Sequence, residues 1–239
     1  LTGLAIRDLT AGIGTSQIIR GLDLEVPYGE IHALMGPNGS GKSTLCHVLT
    51  GHPRFEARGT VALDETDLLG LDVDERARRG VLQAFQYPTE IPGVKLRDLL
   101  VEAGEERGIP PEEMTERIER LAPVFSMEPF LERAVNDELS GGEKKRSELF
   151  QLAVLQPRVA LLDEIDSGLD IDAVRQVAEA VKSMRAPDVA VLMITHYSRI
   201  LRYVIPDRIH VMVGGRIVES GGPELADRLE AEGYEAWRE

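Results

Sequence analysis

Residues Gly36-Pro37-Asn38-Gly39-Ser40-Gly41-Lys42-Ser43-Thr44 gather three glycines, one lysine and two adjacent hydroxyls into a single turn. An apolar run, Ile31 to Met35, leads in, and an apolar helix-like run, Leu45 to Leu49, leads out. Strand, glycine-rich turn and helix start in that order make a phosphate cradle. The glycines let several backbone N–H groups converge on one anion. The helix start adds unpaired donors and partial positive charge. Lys42 can reach the β- and γ-phosphates, and Ser43 can offer its hydroxyl to Mg²⁺. The chemistry implied is binding of a nucleoside triphosphate.

Further groups fit hydrolysis of that triphosphate. Asp163 ends the apolar run Val159 to Leu162, where its carboxylate can hold Mg²⁺ beside Ser43. Glu164 follows and can orient or deprotonate an attacking water. Gln86 can touch both Mg²⁺ and that water. His196 ends a later apolar run, where an imidazole can contact the γ-phosphate. Leu139-Ser140-Gly141-Gly142-Glu143 is a second glycine-rich element, with Ser140 a helix N-cap and Gly141 and Gly142 leaving the backbone open to a phosphate. It lies too far along the chain to be assigned to the first cradle. A homodimer uses both: the second element of one copy closes over the triphosphate held by the other. Lys144, Lys145 and Arg146 follow, and support the anion, meet the partner or form a solvated face. The turn Ser167-Gly168-Leu169-Asp170 can touch the opposite copy.

These groups need a scaffold of strands and helices. Leu4 to Leu9, Ile18 to Leu22, Leu24 to Val26 and Thr60 to Leu63 read as an antiparallel β layer. From Val94 to Phe125 the pattern is helical. One helix spans Leu96 to Glu106, and another, opened by Pro110-Pro111-Glu112-Glu113, has Met114, Ile118, Leu121 and Phe125 on one face. A helix after Ser140 runs through Leu155. Strand Val159 to Leu162, helix Ile171 to Met184 and strand Val189 to Ile194 alternate, which implies a parallel sheet. Arg208 to Val213 and Arg216 to Glu219 form a hairpin around Gly214-Gly215, and Pro223 to Trp237 reads as helix.

Composition narrows the class. The chain has 239 residues, 43% hydrophobic and 28% charged, enough to bury a full core. A net charge of −14 argues against nucleic acid as the main partner. The single cysteine, Cys46, excludes an internal disulfide and reads as a small buried residue of the first helix. No apolar run reaches membrane-span length and no leader pattern is visible, so the expected location is the cytoplasm, without direct membrane insertion. The sequence begins at Leu1 rather than Met, and the native N-terminus is not visible.

The ordered set resembles the ATP-binding cassette (ABC) ATPases. The matching parts are Walker A at Gly36 to Thr44, Q-loop Gln86, signature Leu139 to Glu143, Walker B Val159 to Asp163 with Glu164, D-loop Ser167 to Asp170, and His196. The resemblance implies an α/β P-loop NTPase of ABC type: a RecA-like core, an antiparallel β layer and an inserted helical subdomain. It implies one domain, with residues 1–87 and 157–239 as core and about 88–156 as the helical subdomain. ATP and Mg²⁺ are the implied ligands, and ATP hydrolysis the implied activity.

Outside the shared parts, Ala84 to Val94, Ser140 to Glu148, Asp166 to Ala173, Thr195 to Leu201 and Glu232-Gly233-Tyr234 are similar to the SufC family, soluble ABC ATPases of the Suf iron–sulfur cluster assembly system. That resemblance implies SufB and SufD as partners and a transient ATP-dependent homodimer that remodels their scaffold. A lone cysteine suits such a role, because holding a cluster takes several thiolates. Two departures stand out. Ala11 to Ser16 offers no aromatic to stack on adenine, leaving base selectivity open, and Ile165 stands where relatives often carry Ser. The alternatives are the nucleotide-binding subunit of an ABC transporter and a nucleotide-controlled scaffold.

Overall fold

A computed structural model describes residues 2–195 and 198–237. The chain opens with a long antiparallel hairpin, β1 (Gly3–Ile13) and β2 (Ser16–Pro27), followed by β3 (Ile31–Met35) and α1 (Lys42–Thr50). β4 (Glu56–Leu63) and β5 (Thr66–Asp67) return to the hairpin and complete an antiparallel sheet in the order β2-β1-β4-β5. The two expected strands either side of Asp23 are one strand. β1 is longer than expected, running past Leu9 to Ile13 through a bulge at Asp8, φ 45°, where the register shifts between Ile6 and Leu9.

α2 (Val73–Arg78) and β6 (Val81–Ala84) lead to the inserted unit: β7 (Ile91–Lys95), α3 (Leu96–Glu105), α4 (Pro111–Phe125), β8 (Ala134–Val135) and α5 (Gly141–Leu155). β9 (Val159–Asp163), α6 (Ile171–Ser183), β10 (Ala190–Ile194), α7 (Ser198–Leu201), β11 (Arg208–Val213), β12 (Arg216–Gly221) and α8 (Glu224–Glu232) complete the fold. A second sheet has the order β12-β11-β3-β10-β9-β6, and every neighbouring pair is parallel except the β11–β12 hairpin. Each residue of β3, β9 and β10 is buried, as strands covered on both faces require.

α1 lies between the two sheets. Leu45, Cys46, Val48 and Leu49 share one core with Leu4, Ile6, Leu22, Leu161 and Leu192. The opposite face of the parallel sheet packs Leu162, Val191 and Met193 against Leu100, Met114, Ile118, Phe150 and Val177. The inserted unit therefore shares its core with the sheet that carries the acidic pair.

Some elements differ from the sequence reading. Ile91–Lys95 is a strand paired with Ala134–Val135, so the inserted unit is not purely helical. The tail is α-helical only over Glu224–Glu232. Gly233, at φ 67°, ends the helix before a short turn at Glu235–Trp237.

Candidate nucleotide site

The glycine-rich turn leaves β3 at the carboxyl edge of the parallel sheet and feeds α1. Gly36 must be glycine: a Cβ there would lie 2.1 Å from the Met212 carbonyl oxygen. Gly41, at φ 106°, turns the chain into the helix. Lys42 folds back over the turn, its Nζ donating to the carbonyls of Gly36 (2.8 Å) and Pro37 (3.0 Å). Burial lowers its pKa, while the charges of Glu164 and Asp163 raise it. Ser40 is buried, and its hydroxyl finds no partner among the described residues.

Walker A and Walker B residues meet, although 120 positions separate them in sequence: the Ser43 hydroxyl donates to Asp163 Oδ1 at 3.1 Å. Asp163 ends β9 and is buried. That burial pushes its carboxyl up to about 6, the charge of Glu164 adds to the rise, and the Ser43 hydrogen bond opposes it. A buried carboxylate beside a hydroxyl is an oxygen donor set suited to Mg²⁺. Glu164 sits at φ 48°, a left-handed conformation rare for a residue with a side chain. Its N–H donates to the Ile194 carbonyl at 2.9 Å. Gln86 Nε2 donates to Glu164 Oε2 at 2.6 Å, so these two sequence-assigned groups meet directly. His196 lies outside the described residues. Thr195, just before it, is tied to Asp166 by its hydroxyl at 3.1 Å.

Ser140 caps α5 in a reciprocal box: its Oγ accepts from the Glu143 N–H (3.4 Å), and its own N–H donates to Glu143 Oε2 (2.8 Å). Gly141, Lys144 and Lys145 line the same open cleft, about 950 Å³, as Asn38, Gly39, Gly41, Lys42, Ser43, Thr44, Gln86 and Glu164. The second glycine-rich element thus reaches the cleft within one chain. Ser140 and Gly142 border a separate depression with Asp170.

The basic run is not a uniform solvated face. Lys144 pairs with Glu90 at 2.6 Å. Lys145 is buried, and its Nζ donates to the carbonyls of Phe85 (3.3 Å), Gln86 (2.5 Å) and Glu164 (3.2 Å). It fastens the Gln86 loop to the acidic loop. Glu148, one turn on, accepts from the Phe85 N–H and from Asn136 Nδ2, both at 3.1 Å. Burial pushes its carboxyl up. Sequence reading missed Asn136 and Glu148 as parts of this clamp. A lysine and a glutamate three apart among the apolar positions of α5 were the available signal. Cys46 is fully buried, burial pushes its thiol well up, and no metal-binding cluster of three His, Cys, Asp or Glu occurs among the described residues.

Residues 19–167 match the family model described as ABC transporter. The chain belongs to the ABC transporter family. It is 50% identical over 243 residues to the probable ATP-dependent transporter slr0075 of Synechocystis sp., covering 98% of this chain and 95% of that protein. It is 47% identical over 239 residues to vegetative protein 296 of Bacillus subtilis, covering 97% and 92%. The ADP conformation of MJ1267, an ATP-binding cassette of an ABC transporter, superposes with TM-score 0.81 at 25% identity, covering 99% of this chain and 98% of that one. The dimeric structure of MJ0796, a bacterial ABC transporter cassette, has the same fold, with TM-score 0.73 at 22% identity over 92% of this chain and 98% of that one. The fold is that of an ABC ATPase, as the motifs led us to expect. Among the described residues no helix is long and apolar enough to cross a membrane.

Proposed function

We propose that the chain is a Mg²⁺-dependent ATPase that pairs with a second copy around two ATP molecules and thereby moves a partner protein. The observation carrying this reading is the emptiness around Gly141. A Cβ there would meet nothing within 4 Å, and its φ lies outside the left-handed region, so this chain alone gives no reason for glycine. Gly142 is similar: a Cβ would make only ordinary contact with Leu169, at 3.8 Å. Two glycines that one copy does not need are explained by a second surface closing on them.

In this reading the cradle N–H groups and Lys42 hold the phosphates, and Lys42 exchanges its loop carbonyls for phosphate oxygens. Ser43, Gln86 and Asp163 would hold Mg²⁺, which would supply positive charge to offset the negative charge developing on the transferred phosphoryl group. Glu164 and Gln86 orient the attacking water, and Glu164 accepts its proton. His196 contacts the γ-phosphate. The Ser140–Gly142 helix start of the opposite copy supplies further donors to the charge that builds in flight.

The partner surface is the groove between α1, α2, β6 and the inserted unit. Val73, Phe85, Ile91 and Val135 line it, and Gln83, buried on β6, directs an amide there with no partner for either polar atom among the described residues. Phe85, Tyr87 and Ile91 are exposed beside Gln86. A bound protein segment would satisfy the amide and cover the apolar rim, coupling its position to the nucleotide through Gln86 and Lys145.

The segments shared with the SufC family support SufB and SufD as the partners and iron–sulfur assembly in the cytoplasm as the setting. The names of the relatives support a second reading, the nucleotide-binding subunit of a transporter. Co-expressing the tagged chain with SufB and SufD, and separately with membranes, tests the choice. Recovery with SufB and SufD supports the first; stable recovery only with an integral membrane protein overturns it.

A further inference from the structure

We propose that Asn136 and Glu148 are positioning residues for Gln86, bracketing its loop from the inserted unit so that the glutamine meets Glu164. This rests on the hydrolysis reading above and extends it to two residues outside the recognised motifs. After Ala84, at the end of β6, no residue from Phe85 to Gly93 is buried. Phe85 is 43% exposed and Tyr87 82%. The loop therefore has no buried apolar side chain to fix its shape, and polar ties must do so. They come from the inserted unit. The Phe85 N–H, one residue before Gln86, donates to Glu148 Oε2 at 3.1 Å. The Thr89 carbonyl, three residues after Gln86, accepts from Asn136 Nδ2 at 3.0 Å. Asn136 Nδ2 also donates to Glu148 Oε1 at 3.1 Å, which joins the two ties into one bracket. Lys145 holds the Phe85 and Gln86 carbonyls from the same helix as Glu148. Gln86 lies inside the bracket, with its Nε2 2.6 Å from Glu164 Oε2.

Hydrogen-bond chemistry explains the two residue types. The Thr89 carbonyl and Glu148 Oε1 are both acceptors, so Asn136 must turn its NH₂ end toward them, and both of its hydrogens are then used. A carboxylate at position 148 gives one oxygen to Phe85 and the other to Asn136. An amide there has a single acceptor oxygen and would drop one of the two bonds. Asn136 sits just after β8 at φ 58°, a left-handed backbone that asparagine tolerates better than most residues. Asn136 and Glu148 are buried, so water does not compete for these bonds. Neither borders the nucleotide cleft, and they act through the loop. Both line the groove assigned above to the partner, together with Phe85 and Thr89. An occupant of that groove touches the same pair that sets Gln86.

Asn136→Gly removes the amide and leaves the positive φ unstrained. Glu148→Gln keeps the volume and loses one acceptor. Phosphate release at saturating Mg-ATP gives kcat, and calorimetric titration with ATP in the absence of Mg²⁺ reads the cradle alone. In both variants kcat should fall roughly ten- to a hundredfold, the scale of a group misplaced by about an ångström at a reacting centre, with unchanged metal-free ATP affinity. A double-mutant cycle separates positioning from packing. In a Gln86→Ala chain, which itself loses turnover, adding Asn136→Gly should cost no further turnover. Full additivity overturns the proposal, and so does wild-type kcat in Asn136→Gly and Glu148→Gln; both results leave the ATPase reading intact. Weakened metal-free ATP binding overturns it as well, because the defect then lies in the cradle. Wild-type turnover in Gln86→Ala overturns the role of Gln86 and the proposal with it. Failure of the wild type to hydrolyse Mg-ATP overturns the ATPase reading itself. Hydrogen exchange at the Phe85 amide of the wild type gives an independent check: protection is expected, and rapid exchange overturns the contact.

Discussion

Gly141→Ala separates the needs of the free chain from those of the pair. Gly141 is the first residue of α5, and a methyl group there meets no heavy atom within 4 Å. Nothing in one copy opposes alanine. Restricting the unfolded chain at a compatible site stabilises by about 0.4–1 kcal/mol. For a chain of this size that is a rise of roughly 1–4 °C in Tm. The same methyl would stand between the backbone and a phosphate presented by a second copy. Losing one charge-stabilising donor costs roughly a hundredfold in turnover. The substitution should therefore raise stability and abolish most activity, two effects of opposite sign. Scanning calorimetry without nucleotide and phosphate release at saturating Mg-ATP read them separately. Wild-type turnover in a stabilised variant would refute the role given to Gly141. A drop in Tm would refute the geometry from which that role is argued.

Ser43→Ala removes the hydroxyl that joins α1 to Asp163. ATP affinity should fall by roughly ten- to a hundredfold with Mg²⁺ present, the scale of a lost metal-supporting contact; unchanged affinity without Mg²⁺ is the control, and equal loss in both conditions would move the defect to the loop. Gln83→Leu replaces a buried amide lacking partners among the described residues by an apolar group of similar size. It should stabilise the free chain by about 1–3 kcal/mol in urea unfolding and weaken capture of the partner; a destabilised variant would mean the amide is already satisfied. A chain through two buried histidines links Ser220 Oγ, His210, His32 and Glu30, with contacts of 2.7, 3.0 and 2.7 Å. Burial, with the charges of His32 and Arg208, pushes His210 from 6.5 down to about 4. The folded state then binds fewer protons than the unfolded state between those values, so stability is full above pH 6.5 and falls as pH drops toward about 4, by up to about 3 kcal/mol. In His210→Gln the slope of Tm against pH in that window should flatten; an unchanged slope would reject His210 as its source.

Motif order made the nucleotide site legible because each motif sits at a strand end or a helix start, where local chemistry and local structure coincide. Gly36 to Thr44, Asp163 and Glu164 needed no knowledge of the sheet. The long helices were equally plain, since Met114, Ile118 and Phe125 repeat on one buried face. β6 was not legible. Its four residues include the buried polar Gln83, and an edge strand that short carries no periodicity. α2 was missed for a related reason: its one buried side chain is Arg76, which donates to the Val48 (2.7 Å) and Leu49 (3.2 Å) carbonyls and so caps α1 from another element. The Lys145–Glu148–Asn136 clamp depends on tertiary approach, with Lys145 reaching the Phe85 carbonyl across 60 positions and Glu148 the Phe85 N–H across 63. No local pattern encodes either. The basic run after the signature could be read only as three charges; the fold divides them into a buried tie, a surface ion pair and a side chain bordering other depressions.

The central claim is that two copies close around two ATP molecules, and sedimentation of Glu164→Gln measures it most directly. Glu164 accepts the proton from water in this account, so its amide counterpart should bind Mg-ATP without consuming it. Sedimentation velocity with the partner scaffold present should show a nucleotide-dependent shift that reports pairing of the variant chain, reversed when Gly141→Ala is added. A chain that saturates with Mg-ATP and remains unpaired under those conditions would contradict the account.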